Sequence, residues 1–178
     1  MEDQLIAILK DSDFGLKDKP FFNEETRRSA RGLVFLPNNQ VALFHKKKKN
    51  EYKLPGGGIE NNESPEACFR REVLEETGVV IDSLEYLGHF IEEKSQSNFR
   101  QISYVYKGYG SIQLDYLDLT KKENDEGGEV VFVSLKDAYR LISQSSKNSV
   151  ASIHENAYVT RFINKRDALI VEFILKSM

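Results

Sequence analysis

The sequence has very little cysteine and no apolar run long enough to cross a membrane. Cys68 is the only cysteine among 178 residues, which excludes an intramolecular disulfide and a cysteine-rich zinc site. A membrane helix needs roughly 18 consecutive apolar residues, and no run approaches that length. The start, Met1–Gln4, lacks the basic and apolar segments of a signal peptide. We therefore expect a cytoplasmic protein without a membrane partner.

An excess of positive charge is also lacking. Lys and Arg number 25 against 28 Asp and Glu, so the formal net charge is −3. A non-specific nucleic-acid binder is normally basic overall, and nucleic acid is therefore not an expected partner. Apolar residues make up 40% of the chain, which is ordinary for a globular protein. The length fits one domain, and we expect residues 1–178 to form it without internal repeats.

Local patterns predict strands mixed with helices. Ser64 and Pro65 are good first residues of a helix that should end before Gly78. The spacing of apolar residues in 135–142 predicts a second helix, and the absence of Gly and Pro in 155–176 predicts a third. A short helix is also expected over residues 5–9. Strands are expected over residues 33–36, 41–44, 102–106 and 130–133, with one or two more within 79–91.

This alternation predicts an α/β fold in which helices cover a sheet on both sides. We expect a core of about residues 26–145, an N-terminal extension of residues 1–25 and a C-terminal helix in 155–178. The lysine run Lys46–Lys49 is expected to be a solvated connection between strands, and contact with substrate phosphates is its alternative role.

Three carboxylates share one face of the helix that starts at Ser64. Glu72, Glu75 and Glu76 are spaced i, i+3 and i+4, which places them within an arc of roughly 100°. Like charges at this spacing destabilise a helix, so a compensating cation is expected. Arg71 is one candidate. A divalent metal such as Mg²⁺ is the better one, because hard cations prefer oxygen ligands and often lie between carboxylates and phosphates.

Residues 57–79 resemble the Nudix box, G-x5-E-x7-R-E-U-x-E-E-x-G-U, in which U is aliphatic. Every specified position is matched, by Gly57, Glu63, Arg71, Glu72, Val73, Glu75, Glu76, Gly78 and Val79. The preceding segment, Tyr52–Gly57, is similar to the aromatic and Leu-Pro-Gly-Gly lead-in of that family. The resemblance implies the Nudix α/β/α sandwich with a mixed sheet, here with an extra N-terminal segment and a C-terminal helix.

The resemblance also implies an activity and a cofactor. Nudix hydrolases cleave the pyrophosphate of a nucleoside diphosphate linked to another group, with Mg²⁺ or Mn²⁺. Carried over by position, Glu72, Glu75, Glu76 and the carbonyl of Gly56 would bind the metal. Glu63 and Arg71 would pair and brace the preceding loop against the helix, and we count both with the catalytic residues.

The general base and the substrate contacts are less closely defined. Family bases are often a Glu on a loop beyond the box, and Glu126 precedes two glycines in such a loop, which we expect to be open and mobile. Glu129 is the second choice, and Glu76 or a metal-bound hydroxide are alternatives. Candidate substrate contacts are Gly57 and Gly58, where backbone approaches closely, with Tyr52 and Arg31. Core packing is the alternative role of Tyr52, and a surface charge is that of Arg31.

The substrate is expected to be a nucleotide-type small molecule. The sequence has no proline beyond Pro65, whereas enzymes for ADP-ribose tend to carry one after the box. By elimination a nucleoside triphosphate is left, and ADP-ribose or a nucleotide sugar is the alternative. The intact box favours catalysis over a nucleotide-binding sensor or regulator. A homodimer and a monomer are both compatible with the sequence.

Overall fold

The chain is built on one mixed β-sheet with helices on both faces. The computed structural model describes residues 4–22, 25–148 and 157–178. Within those ranges the sheet has eight strands, and six follow the order β1-β6-β7-β2-β3-β4, while β5 pairs with β2 and β8 with β3. The strands are β1 (Leu5–Lys10), β2 (Glu25–Phe35), β3 (Gln40–Lys46), β4 (Glu51–Lys53), β5 (Gly56–Gly58), β6 (Val79–Lys94), β7 (Phe99–Ile112) and β8 (Gly128–Ser134). The helices are α1 (Pro65–Thr77), α2 (Lys121–Asp125), α3 (Leu135–Asn148) and α4 (Ala157–Ser177).

Helix α1 has the boundaries that its sequence predicts. The Ser64 hydroxyl accepts a hydrogen bond from the backbone N–H of Ala67 at 3.1 Å, and Pro65 occupies the first turn. At the other end Gly78 adopts a left-handed conformation with φ 65°, and its N–H donates to the carbonyl of Leu74. These local signals are sufficient to define the helix, and this prediction is confirmed.

The prediction of a helix over residues 5–9 is wrong. Leu5–Lys10 is strand β1, which pairs in parallel with β6 at the edge of the sheet. The spacing of its apolar residues suits both structures, and pairing with a distant strand decides between them. Helix α4 agrees with the helix predicted for 155–176 from residue 157 onward, because residues 155 and 156 lie outside the described ranges.

Two apolar layers lie on opposite faces of the sheet. One contains Leu33 of β2 and packs under α3 and α4. The other contains Val34, the next residue of β2, and packs against α1 through Phe69 and Val73. Since alternate residues of a strand point to opposite faces, β2 supplies both cores. This confirms the α/β/α sandwich, and no helix in the described part of the chain is long and apolar enough to cross a membrane.

The sheet divides next to β2. Strands β2 and β3 pair at Phe35 and Val41, whereas Ser29, Ala30 and Arg31 of β2 pair with the glycines of β5 instead. Strand β3 continues beside β4 and β8. This divergence places the Gly56–Gly58 backbone beside β2, close to the acidic face of α1.

Candidate active site

A cleft of about 270 Å³ lies at this division of the sheet. Its walls include residues of strands β2 to β5, of helix α1, of the start of α2 and of helix α4. The lining residues are Arg27, Arg31, Lys46, Lys53, Gly56, Gly57, Gly58, Glu72, Glu76, Gln101, Thr120, Lys122, Glu123, Ile163 and Arg166. The predicted substrate contacts Arg31, Gly57 and Gly58 are therefore at the cleft, together with two of the three α1 carboxylates.

Glu72 and Glu76 hold their carboxylates against the glycine strand. Glu76 is 3% exposed and accepts hydrogen bonds from Lys53 Nζ at 2.9 Å and from the N–H of Gly56 at 2.7 Å. Burial raises the pKa of Glu76 to about 7, although Lys53 opposes the shift. A Cβ built on Gly57 would lie 2.3 Å from Glu72 Oε1. Any residue other than glycine would therefore displace the Glu72 carboxylate. The carboxylate oxygens of Glu72 and Glu76 therefore both lie close to the backbone of Gly56 and Gly57.

Glu75 does not share this wall. Its Oε2 atom accepts from Arg71 Nη1 at 3.1 Å, and its side chain is 38% exposed. Glu75 therefore lies beside the cleft lining and not in it, and its role as a metal ligand stays a prediction. Among the described residues, no three side chains of the metal-binding types lie close enough together to hold an ion as a cluster. Glu72 and Glu75 share the Nη1 atom of Arg71, which donates to Glu72 Oε1 at 2.9 Å as well, whereas Glu76 pairs with Lys53.

The cleft wall nevertheless fits a divalent cation chemically. Glu72 and Glu76 offer carboxylate oxygens, the ligands that hard cations such as Mg²⁺ prefer, and both face the backbone of Gly56–Gly57. The metal roles of Glu72, Glu75, Glu76 and the Gly56 carbonyl stay predictions.

The predicted pairing of Glu63 with Arg71 is present. Arg71 donates from Nε to Glu63 Oε1 at 2.8 Å and from Nη2 to Glu63 Oε2 at 3.0 Å. The same guanidinium donates to the carbonyl of Gly58 at 3.3 Å. These hydrogen bonds from Arg71 hold the pKa of Glu63 down at about 2, so the pair is ionised at neutral pH. The pair ties the loop after β5 to helix α1, as the sequence predicts.

Glu126 does not lie on an open, mobile loop, and that expectation is wrong. It follows the last turn of α2, is 3% exposed and pairs with Lys46 Nζ at 2.9 Å. Lys49 is also buried and pairs with Glu51 at 3.2 Å. The run Lys46–Lys49 is therefore not simply a solvated connection, because two of its ammonium groups neutralise buried carboxylates.

Tyr52 and Glu129 are held outside the cleft lining. The Tyr52 ring stacks on His45 with centroids 4.0 Å apart, and it packs against the core below α3 and α4. Glu129 accepts from His45 Nδ1 at 2.9 Å and pairs with Lys47 at 2.6 Å, and these partners lower its pKa. The Tyr52 ring is therefore used in packing, which is the alternative expected for it, and its contact with a substrate stays a prediction.

Glu123 is a cleft residue that the sequence patterns did not single out. Its Oε2 atom accepts from the N–H and the hydroxyl of Thr120, both at 2.8 Å, and Thr120 accepts in turn from the N–H of Glu123. This capping box fixes the carboxylate on the cleft wall near Glu76, whose pKa it helps to raise. The signal was readable in the sequence, since Thr120 and Glu123 have the capping-box spacing.

Helix α4 contributes a buried ionic network behind the cleft. Arg166 donates from Nη1 to Glu92 at 2.8 Å and from Nε to Asp167 at 2.8 Å. Asp167 also accepts from the backbone N–H of Leu54, two residues before Gly56. Lys94 donates to the other oxygen of Glu92 at 2.8 Å. The C-terminal helix is thus tied directly to the segment that leads into the glycine strand.

The fold and the cleft define a class of protein, an α/β/α sandwich with an acidic helix next to a glycine strand. A family model, the NUDIX domain, matches residues 25–153. A similar solved structure is a NUDIX hydrolase from Nitrosomonas europaea, with a TM-score of 0.50 and 17% identity over 64% of this chain and 75% of that one. At this identity the likeness concerns the fold alone.

The chain belongs to the Nudix family, because the family model covers most of its length. It is therefore a pyrophosphohydrolase that acts on nucleoside diphosphate derivatives, and the family generally uses divalent metals.

Proposed function

We propose that this protein hydrolyses the pyrophosphate bond of a nucleotide with Mg²⁺ or Mn²⁺, in the cleft between β2, β5 and α1. The observation that carries the proposal is the meeting of Glu72 and Glu76 with the Gly56–Gly57 backbone on one wall of a cleft rich in cations. Glu72, Glu76, Glu75 and the carbonyl of Gly56 would hold the metal. A divalent cation bound there supplies charge that stabilises the phosphoryl oxygens and polarises the P–O bonds.

The residues around the cleft have separate tasks in this proposal. Arg71 and Glu63 keep the loop after β5 against α1, so that Gly57 and Gly58 can approach the phosphates without a side chain in between. Arg31 faces the phosphates as a cation. Lys53 holds Glu76 in place through the 2.9 Å ion pair.

We propose Glu123 as the general base in place of Glu126. Its carboxylate lines the cleft, whereas the carboxylate of Glu126 is buried beside Lys46 and neutralised by it. The capping box holds Glu123 through Oε2, and Oε1 is then the oxygen that takes a proton from the attacking water. A positioned base contributes typically 10²–10⁴-fold to the rate.

The experiment for the reaction is a substrate panel assayed with Mg²⁺ and with Mn²⁺. It contains nucleoside triphosphates, ADP-ribose, nucleotide sugars and dinucleotides, and the protein is wild type or Glu72→Gln. We expect hydrolysis of at least one substrate that requires the metal and is lost in Glu72→Gln. Full activity in Glu72→Gln, or in the presence of excess chelator, contradicts the proposed site.

The base is tested by Glu123→Gln, which leaves the capping hydrogen bonds possible because glutamine also serves in a capping box. We expect a roughly 10²–10⁴-fold loss of kcat with little change in KM or melting temperature. Glu126→Gln is the matched comparison, and it should lower the melting temperature because it leaves Lys46 buried beside a neutral amide. A silent Glu123→Gln would return the role to Glu126, Glu76 or Glu129.

A further inference from the structure

A group of buried charges lies below α4. Its five ionisable side chains are Arg31, Glu92, Lys94, Arg166 and Asp167, all 6% exposed or less. Glu92 is shared by Arg166 and Lys94, and Asp167 is paired with Arg166. Arg31 is the third cation of the group, and Glu92, Asp167 and Glu76 attract it without a close ion pair.

Arg31 is the unmatched member by its hydrogen bonds as well. Its Nε atom is buried and has no hydrogen-bond partner among the described residues. Burial and the nearby charge of Arg166 lower the pKa of Arg31 to about 10. Glu92, Asp167 and Glu76 oppose this shift, but a buried donor without a hydrogen-bond partner is costly, and the side chain lines the cleft from which a partner would come.

Half of the cations that line the cleft already have carboxylate partners. Six lining residues are Arg or Lys, and of these Lys46, Lys53 and Arg166 pair with Glu126, with Glu76, and with Glu92 and Asp167. Arg31 has no such pair among the described residues. Each phosphate of a nucleotide sugar lies between two bridging oxygens and has one charge, whereas a terminal phosphate has one bridging oxygen and a charge of about −1.5 to −2 at pH 7. A buried guanidinium without an ion pair therefore favours a substrate whose phosphate chain ends in a free phosphate.

We propose that Arg31, supported by Arg166 of α4, forms a subsite for the terminal phosphate of the substrate, and that the substrates are nucleoside polyphosphates rather than nucleotide sugars. The proposal rests on the proposed hydrolysis of a nucleotide in this cleft. Helix α4 lies outside residues 25–153, the span of the family model, so this part of the cleft is additional to the matched domain. The guanidinium group suits the role, because its planar N–H donors match phosphate oxygens.

The direct test is calorimetric binding of inorganic tripolyphosphate, measured with excess chelator and again with Mg²⁺. We expect Arg31→Met to weaken binding by roughly 10- to 100-fold in both conditions, the range of lost charge-assisted hydrogen bonds. The melting temperature should be equal to or higher than that of the wild type, because an unmatched buried charge is removed. Wild-type affinity in Arg31→Met overturns the subsite.

The matched control is Arg100→Met, which removes the same charge from the neighbouring strand β7. The side chain of Arg100 pairs with Glu93 at 3.1 Å and lies over the ring of Phe21, and it is not part of the cleft lining. We expect unchanged binding of tripolyphosphate. An equal loss in Arg100→Met would mean that overall charge, and not a site, attracts the anion, which also overturns the proposal.

Two further outcomes distinguish a failure of this proposal from a failure of the proposed hydrolysis on which it rests. If no nucleotide is hydrolysed but tripolyphosphate binding depends on Arg31, the reaction is wrong and the subsite holds. If Arg31→Met lowers kcat/KM equally for a nucleoside triphosphate and for ADP-ribose, the reaction holds and the subsite is wrong. Should Arg31→Met not fold, Arg31→Lys keeps the charge without the planar donors, and wild-type binding in that variant would make Arg31 a structural cation.

Discussion

Gly57 offers a perturbation whose effect should be confined to the site. In Gly57→Ala the added Cβ would meet Glu72 Oε1 at 2.3 Å, Cδ at 2.4 Å and Oε2 at 2.5 Å. Ordinary contact begins at 3.4 Å, so the carboxylate must move by about 1 Å. The end of a flexible side chain can move at little cost to the fold. A misplacement of 1 Å can lower a catalytic rate by about 10²-fold. We therefore expect a roughly 100-fold loss of kcat/KM with a nearly unchanged melting temperature.

Gly56→Ala is the matched control, one residue away. Gly56 has φ +137°, and its added Cβ would lie 2.3 Å from the carbonyl oxygen of Ala30 and 2.6 Å from the Cα of Arg31. These neighbours are backbone, so the substitution should lower stability, by about 1–3 kcal/mol from backbone strain. Steady-state kinetics and thermal unfolding of both variants give the answer. Wild-type activity in Gly57→Ala would refute the placement of Glu72 in the catalytic site.

Three more predictions concern the box. The pKa of Glu76, raised to about 7, implies that Mg²⁺ binding below pH 7 displaces a proton, so the affinity measured by calorimetry should rise with pH up to about 7 and then level off. The pKa of Glu63 is lowered to about 2, so its ionised form stabilises the fold fully above about pH 4.5, and this stability is lost as the pH falls towards 2. In Glu63→Gln the free energy of unfolding should therefore depend less on pH in that window. Glu75→Gln should remove most activity with little loss of melting temperature, and unchanged turnover would exclude Glu75 as a ligand.

Short-range signals account for the part of the site that the sequence predicts well. Ser64 and Gly78 define α1 within one stretch of chain, and the helical period then places Glu72 and Glu76 on one face. The pairing of Arg71 with Glu63 spans only eight residues. Nothing beyond local geometry and the box is needed for these features.

The features that the sequence did not predict depend on contacts between distant residues. Strand β1 forms because β6 offers a free edge about 80 residues further on, as the pairing of Leu5 with His89 shows. Glu126 is buried because Lys46 meets it across β3 and β8. Arg166 is held beside the cleft by its hydrogen bond to Glu92, which is 74 residues away in the sequence. Asp167 accepts a hydrogen bond from the backbone of Leu54, 113 residues away. Periodicity and spacing contain no information about such partners.

The central claim is that Glu72 and Glu76 on the wall of the cleft support metal-dependent cleavage of a phosphoanhydride by water. The most direct measurement is hydrolysis of a nucleoside triphosphate with Mg²⁺ in ¹⁸O-enriched water, with the products followed by ³¹P NMR. We predict that one product phosphate acquires the label and that Glu72→Gln slows its formation by at least about 100-fold, since a metal site contributes several kcal/mol. Absence of labelled product for every anhydride in the panel, or an undiminished rate in Glu72→Gln, would contradict the account.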